Sequence, residues 1–166
     1  MNAPAVANIG LSPAALAKID KAVAKYPPQQ KQSAVMAALT IAQDEKGWLS
    51  NETMDFIAQY LEMPPVAVYE VASFYTMYDL QPVGRHKLTI CTNLPCALSG
   101  ANLAAAHLKQ KLGIGFGETT ADRRFTLKQG ECLGACGDAP VLLHNNKQML
   151  CAMTVDKLDA LLEALK

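Results

Sequence analysis

The stretch Asp79–Cys91, "DLQPVGRHKLTIC", separates two parts of the sequence that differ in character. At its centre, Gln81–Gly84 has the Pro and Gly residues that are typical of a turn. From His86 to Cys91, apolar and polar residues alternate, with Leu88 and Ile90 on one side, as in a half-buried β-strand. Because the pattern before this stretch indicates only helices, we expect the fold to change here.

Four helices are predicted upstream, each from apolar residues at helical spacing and from signals at its ends. Ser12 followed by Pro13 predicts the start of the first helix. The second is predicted from about Gln30 to Lys46, Ser50 is the predicted N-cap of the third, and Pro64-Pro65 begins the fourth. Short helices joined by short links suggest a small bundle.

Downstream, the pattern predicts strand, helix, strand, strand, strand and helix, in that order. The elements after the first strand are a helix over Ala97–Leu112, a strand over Arg124–Lys128, a hairpin from Val141 to Ala152 that turns at Asn145-Asn146, and a helix that Thr154 caps. A strand-helix-strand unit is parallel, and a following hairpin and helix give the thioredoxin-like pattern. We therefore predict an α+β fold. An N-terminal helical bundle occupies residues 1–81, of which 1–10 form a disordered lead-in, and a thioredoxin-like α/β domain occupies residues 82–166.

The composition excludes several functions. The formal net charge is +0, which argues against a dedicated nucleic-acid binder. The apolar helical stretch Ala34–Ala42 is far shorter than the roughly 20 residues of a membrane span, and no basic residue precedes Lys18, so no signal peptide is expected. The expected location is the cytoplasm, where thiols stay reduced. The 5 cysteines therefore point to metal or redox chemistry rather than to disulfides.

Four of the cysteines form two pairs. Cys91 and Cys96 have the spacing C-x4-C, and Cys132 and Cys136 have the spacing C-x3-C. The first pair stands between the first strand and the following helix, and the second pair lies in the loop between the next two strands, so a compact fold could bring both loops to one end. Four thiolates suit zinc, an iron–sulfur cluster or two disulfides, of which the disulfides fit a reducing compartment poorly.

The residues around the cysteines favour a 2Fe–2S cluster over zinc. A 2Fe–2S centre with four thiolates is negatively charged, and backbone N–H groups near the sulfurs offset that charge. The glycines around Cys132 and Cys136 allow the backbone to approach closely, and Thr92, Asn93 and Ser99 could donate side-chain hydrogen bonds. Zinc stays open as an alternative, because its thiolate pairs have similar spacings.

Other residues have simpler interpretations. Cys151 lies in a predicted strand, where we expect it to pack as a small hydrophobic residue. The stretch Gly113–Gly117, "GIGFG", lacks the spacing and context of a dinucleotide-binding fingerprint, so we expect a flexible loop there and no NAD site. The histidines have no metal-ligand spacing and are expected at the surface or in hydrogen bonds: His86, His107 and His144.

Three stretches together resemble a known family. "CTNLPCALSGA" (Cys91–Ala101) and "ECLGACGDAPV" (Glu131–Val141), preceded by "EVASFYTMYDLQPVG" (Glu70–Gly84), resemble the E subunits of bacterial respiratory complex I, the NADH:quinone oxidoreductase. These subunits are thioredoxin-like 2Fe–2S ferredoxins with an N-terminal helical bundle. The likeness extends from about Ser12 to the C-terminus.

The resemblance implies a function and a set of ligands. It implies that Cys91, Cys96, Cys132 and Cys136 hold one 2Fe–2S cluster and that no residue is catalytic. The chain would be a subunit of an oxidoreductase: an electron carrier, without its own substrate site, close to the FMN of a flavoprotein subunit that oxidises NADH.

The resemblance also implies an assembly. The expected partners are the FMN-binding flavoprotein subunit and further peripheral-arm subunits, without nucleic acid and without direct membrane insertion. The chain would lie at the inner face of the cell membrane through the complex. One alternative is the equivalent subunit of an NAD-dependent formate dehydrogenase or hydrogenase, and another is a zinc-stabilised interaction module.

Overall fold

The computed structural model describes residues 10–165, so the predicted lead-in lies, except for Gly10, outside the described residues. The chain divides into one compact unit that ends at Pro82 and another that begins at Val83. The first unit contains helices, and the second contains a four-stranded sheet with helices. This composition confirms the predicted α+β fold class.

Several helices of the first unit begin or end at residues with the expected capping chemistry. They are α1 (Pro13–Val23), a 3-10 helix (Pro28–Ala34), α2 (Val35–Lys46), α3 (Asn51–Tyr60) and α4 (Pro65–Phe74). The Ser12 hydroxyl accepts a hydrogen bond from the Ala15 N–H at 3.1 Å, and Ser50 accepts one from the Thr53 N–H at 3.2 Å. Gly47, at φ 83°, ends α2 in the left-handed conformation that glycine adopts without strain.

The predicted start of the second helix near Gln30 is wrong. Residues Pro28–Ala34 form the 3-10 helix, Gln30 interrupts it with a non-helical φ of −121°, and α2 begins only at Val35. The N–H of Gln30 donates to the Pro27 carbonyl at 2.8 Å, which closes a tight turn after the two prolines. Such 3-10 turns are frequent at the N-termini of α-helices.

The core of the first unit consists of one apolar face from each helix. Five of its side chains are at most 1% exposed: Ile19, Leu39, Ile57, Leu61 and Val68. Their burial removes apolar surface from water, which is the main favourable contribution to folding. Tyr78 packs in the same core, and its hydroxyl donates to the Met36 carbonyl at 2.9 Å.

The second unit is built on a mixed sheet. Its elements are β1 (His86–Cys91), α5 (Leu94–Leu98), α6 (Ala101–Leu112), β2 (Phe125–Gly130), a 3-10 helix (Cys136–Asp138), β3 (Leu142–His144), β4 (Gln148–Leu150) and α7 (Val155–Ala164). The strands lie in the order β2-β1-β3-β4. β1 pairs with β2 in parallel and with β3 antiparallel, and β3 and β4 form a hairpin. The predicted order of strands and helices is thereby confirmed.

Two local features differ from the prediction or refine it. The helix predicted over Ala97–Leu112 is two helices, because Gly100 takes a φ of 95° between α5 and α6 and so interrupts the helical backbone. In the hairpin, Asn145 and Asn146 both have positive φ, at 50° and 58°. This is the conformation of the turns that match the twist of two paired strands, and asparagine tolerates it.

The helices α6 and α7 and the sheet enclose the core of the second unit. Leu88, Leu108, Leu127, Leu142 and Leu158 are fully buried there. Within residues 10–165, no helix is both long and apolar enough to cross a lipid bilayer.

Candidate metal centre

The two cysteine pairs follow the carboxyl ends of two neighbouring parallel strands. Cys91 is the last residue of β1, and in the parallel register it lies opposite Gly130, the last residue of β2. Cys96 lies on α5 directly after β1, and Cys132 and Cys136 lie on the segment directly after β2. The carboxyl ends of adjacent parallel strands share one edge of a sheet, so this topology directs both pairs to the same edge.

Cys91 and Cys96 are buried together in a small apolar cluster. They are 2% and 1% exposed, and they pack with Ala101 and Val141. The Cys91 N–H donates to the Val141 carbonyl at 3.1 Å, and the Cys91 thiol lies 3.8 Å from the Glu131 carbonyl, to which it donates. Cys91 is therefore held by the residue before β3 on one side and by the start of the second cysteine segment on the other.

The buried position changes the acidity of Cys96. Burial raises the pKa of its thiol, and a hydrogen bond with the Cys91 thiol raises it further, while a hydrogen bond with the Val141 backbone acts in the opposite direction. The charges of Cys91 and Cys136 also raise this pKa.

Cys132 and Cys136 are exposed. The Gly134 N–H donates to the Cys132 sulfur at 3.4 Å, and Gly134 has a φ of 72° that glycine adopts without strain. The segment returns through the Cys136–Asp138 3-10 helix and a cis Ala139–Pro140 peptide bond. In the described part of the chain, no three His, Cys, Asp or Glu side chains are arranged to hold a metal ion together.

Three apolar residues beside the cysteines were not predicted from the sequence. Leu133, Ala135 and Ala139 are partly buried against the cluster that contains Cys91 and Cys96. These residues are apolar and lie in a glycine-rich segment, which is the only indication that the sequence gives. Such an irregular segment has no periodicity from which the inward-facing side chains could be predicted. These residues shield the buried thiols from water.

The donors fit a 2Fe–2S group in their chemistry. All four are free thiols on segments that leave one edge of the sheet, and such clusters are held by four cysteine thiolates. The backbone N–H of Gly134 already points at one sulfur, as expected where backbone donors offset the charge of a thiolate.

Cys151 is exposed, so the prediction that it packs in the core is wrong. β4 ends one residue earlier, at Leu150, and the following Ala152 takes a φ of 49° that turns the chain. The Ala152 N–H donates to the Asp138 carbonyl at 2.7 Å, which ties this turn to the second cysteine segment.

The histidines and the glycine loop have structural hydrogen bonds. His86 Nδ1 lies 3.1 Å from His144 Nε2, and His107 Nε2 lies 2.9 Å from Asp159 Oδ1. The loop after α6 is ordered by the Gly115 N–H, which donates to the Glu118 carboxylate at 2.6 Å, and by the Gly117 N–H, which donates to the Leu127 carbonyl at 2.8 Å.

Comparison with known families gives the class of the protein. The family model of the thioredoxin-like 2Fe–2S ferredoxins matches residues 19–166. The chain therefore belongs to the thioredoxin-like 2Fe–2S ferredoxin family, which confirms the resemblance predicted from the sequence.

Two proteins with similar sequences are subunits of NADH dehydrogenases. The chain is 38% identical over 162 residues to the E subunit of the NADH-quinone oxidoreductase of Rickettsia bellii, a match that covers 97% of this chain and 96% of the relative. It is 42% identical over 148 residues to the mitochondrial NADH dehydrogenase (ubiquinone) flavoprotein 2 of Dictyostelium discoideum, covering 87% of this chain and 60% of the relative.

A solved structure shows the same fold. An NAD+-reducing NiFe hydrogenase in the air-oxidized state superposes with a TM-score of 0.67 at 23% sequence identity. The match covers 76% of this chain but only 22% of the hydrogenase chain, so this chain corresponds to a small part of that polypeptide.

Proposed function

We propose that this chain is an electron-transfer subunit of an NADH:quinone oxidoreductase and holds one 2Fe–2S cluster through Cys91, Cys96, Cys132 and Cys136. The observation that carries the proposal is the arrangement of both cysteine pairs after the carboxyl ends of β1 and β2, in a register that places Cys91 opposite Gly130. The relatives that are named as E subunits of NADH-quinone oxidoreductases support the assignment of the complex.

The chain's own residues would fix the cluster and control its surroundings. Cys91 and Cys96 form the buried side of the site, and the exposed Cys132 and Cys136 have to close on them from the second segment. Leu133, packed against the buried pair, limits the access of water. When bound, the cluster would accept and return one electron, a property that its ligands and nearby hydrogen bonds tune.

The protein would act as a carrier within a larger enzyme. We propose that the cluster lies close to the FMN of a flavoprotein subunit, and that FMN and NADH bind to that partner rather than to this chain. On this proposal, residues 82–166 form the ferredoxin domain and residues 1–81 form a helical bundle. Through the flavoprotein and further peripheral-arm subunits, the chain would lie at the inner face of the cell membrane.

The test compares two exposed cysteines. Protein purified without oxygen is analysed for iron and acid-labile sulfide, for absorption that bleaches with dithionite, and for a paramagnetic resonance signal of the reduced state. We expect Cys132→Ser to lose most of the iron and the signal, while Cys151→Ser, the matched control at another exposed thiol, retains both. Equal losses in both variants, or zinc without sulfide in the native chain, would contradict the proposal.

A second measurement tests the assembly. We expect the affinity-tagged chain, expressed in its own cells, to co-purify with a flavin-containing protein that oxidises NADH. Co-purification with the components of a formate dehydrogenase or hydrogenase would replace the proposed complex by the alternative one. Purification without any flavin would refute the partner assignment.

A further inference from the structure

A groove with a volume of about 470 Å³ runs between α1 and α2 in the helical unit. One wall carries three lysines, Lys18, Lys21 and Lys25. The rest of its lining is apolar except for Thr40 and includes three half-buried residues of α2: Met36, Ala37 and Ile41. The groove therefore combines an apolar surface with a row of positive charges.

The lysines form a row because of their spacing. Lys18 and Lys21 are three residues apart on α1 and are therefore neighbours on its surface, and Lys25 follows two residues after the helix ends at Val23, where it lines the same groove.

Two of these lysines have no partner within the described residues 10–165: Lys21 and Lys25 make neither a hydrogen bond nor an ion pair there. Lys18 lies near Glu45, a carboxylate already bonded to the Ser12 hydroxyl at 2.6 Å and to the Ser12 N–H at 2.8 Å. By contrast, Lys31 is paired with Glu62 at 2.5 Å. Lys21 and Lys25 thus differ from Lys18 and Lys31, each of which has a carboxylate beside it.

The charge of the row contrasts with that of the sequence around it. Residues 1–81 hold 5 basic and 8 acidic side chains, a formal charge of −3, and three of the five basic residues are in the row. Fixed charges of one sign beside an apolar surface favour a partner of the opposite sign and disfavour others.

We infer that this groove binds an amphipathic helix of a partner protein that carries Asp or Glu residues along one edge of its apolar face. A helix fits because a groove between two helices accommodates the apolar face of a third, as in other helix-in-groove complexes. Acidic residues spaced over two turns would lie opposite Lys18, Lys21 and Lys25.

The experiment uses the full chain and a defined probe. The probe is a fluorescein-labelled synthetic helix of about 14 residues, with a leucine face and three glutamates spaced over two turns. Binding is followed by fluorescence anisotropy at low and high NaCl. We expect saturable binding that weakens with salt, because the contacting charges are partly exposed.

Charge variants identify the site. Lys21→Gln together with Lys25→Gln should weaken binding at least tenfold, and Ala37→Glu should abolish it by placing a carboxylate beside the row. The matched control is Lys157→Gln, at another exposed lysine, which should bind as the native chain does. Circular dichroism establishes that each variant is folded.

Several results would overturn the inference. These are equal weakening in the Lys157→Gln control, equal affinity for a probe with glutamine in place of glutamate, and no binding by the folded native chain. Tighter association with vesicles of phosphatidylcholine and phosphatidylserine than with the probe, lost in the same double variant, would assign the row to lipid instead. None of these results bears on the iron and sulfide measurements that test the proposed function.

Discussion

Cys91 and Gly130 lie opposite each other at the ends of β1 and β2, and the N–H of the next residue, Thr92, donates to the Gly130 carbonyl at 3.1 Å. The two strands therefore end together. A Cβ atom at position 130 would lie 3.1 Å from Thr89 Cγ2, so a side chain there would crowd the strand that ends in Cys91. The position of the first cysteine pair is thus coupled to the start of the second.

The first prediction concerns the reactivity of the five thiols in iron-free protein. We expect iodoacetamide to modify Cys132, Cys136 and Cys151 rapidly and to modify Cys91 and Cys96 slowly, because only the first three are exposed. Peptide mass spectrometry over a time course measures each rate. In denaturant, all five should react at similar rates, and a fast reaction of Cys96 in the folded protein would contradict the buried pair.

The second prediction concerns Gly84, at the entrance to β1. A Cβ atom there would lie 2.9 Å from the Phe125 carbonyl carbon and 3.0 Å from two backbone atoms of Arg124. Because backbone cannot rotate away as a flexible side chain can, we expect Gly84→Ala to lower the free energy of unfolding by roughly 1–3 kcal/mol. Urea denaturation of iron-free protein measures the change. Gly137→Ala, where the added Cβ meets nothing within 4 Å, should have a much smaller effect.

A third prediction compares two helix N-caps. The Ser12 hydroxyl accepts a hydrogen bond from the α1 backbone, whereas Thr154 occupies the N-cap of α7 without such a bond. Ser12→Ala should therefore lower the free energy of unfolding by about 1 kcal/mol, and Thr154→Ala should lower it by clearly less. Thermal and urea denaturation of the two variants provide the comparison. Equal destabilisation would mean that the Ser12 hydrogen bond is not the source of the effect.

The fourth prediction concerns pH. Burial lowers the pKa of His86 below its ordinary value of about 6.5, and the charges of His144, Arg85 and Arg124 lower it further. The unfolded chain consequently binds a proton at a higher pH than the folded chain does. The stability contributed by neutral His86 is complete above the unfolded pKa and decreases as the pH falls from there towards the folded pKa.

Urea denaturation at about pH 7.5 and about pH 5.5 tests this dependence. We expect the native chain to lose more stability between these values than His86→Gln does. Carboxyl groups with lowered pKa, such as Glu45 and Asp159, titrate below this window and do not obscure the comparison. A loss as large in His86→Gln as in the native chain would contradict the assignment to His86.

The elements that the sequence predicts well are those whose signals are local. β1 runs from His86 to Cys91 as the alternation predicts, since Leu88 and Ile90 are both fully buried. The N-caps at Ser12 and Ser50 are also predictable from the local sequence, because each hydroxyl accepts a hydrogen bond from the first turn of its own helix. The order of the strands also predicts that the two cysteine pairs approach one edge of the sheet.

The remaining features depend on contacts that no local pattern contains. The sequence pattern places Cys151 in a strand, yet its side chain is exposed. The chain turns at Ala152, whose N–H donates to the carbonyl of Asp138, a residue that is distant in sequence. The inward position of Leu133 depends in the same way on the path of an irregular segment. The break at Gly100 had a local signal, glycine within an alanine-rich helix, but such a residue can also lie inside a continuous helix.

The six paired positions of β1 and β2 also bear on how this polypeptide can vary. The connection between α6 and β2 begins at Gly113, which has a φ of 67°, and ends at β2, whose six residues all pair with β1. Within that connection, the Gly117 N–H donates to the Leu127 carbonyl and the Thr120 N–H donates to the Phe125 carbonyl, so its path is fixed against β2. The long sequence separation between the two cysteine pairs is therefore bridged by a segment with a defined path, and a change in its length would have to be absorbed at residues that do not bond to the sheet.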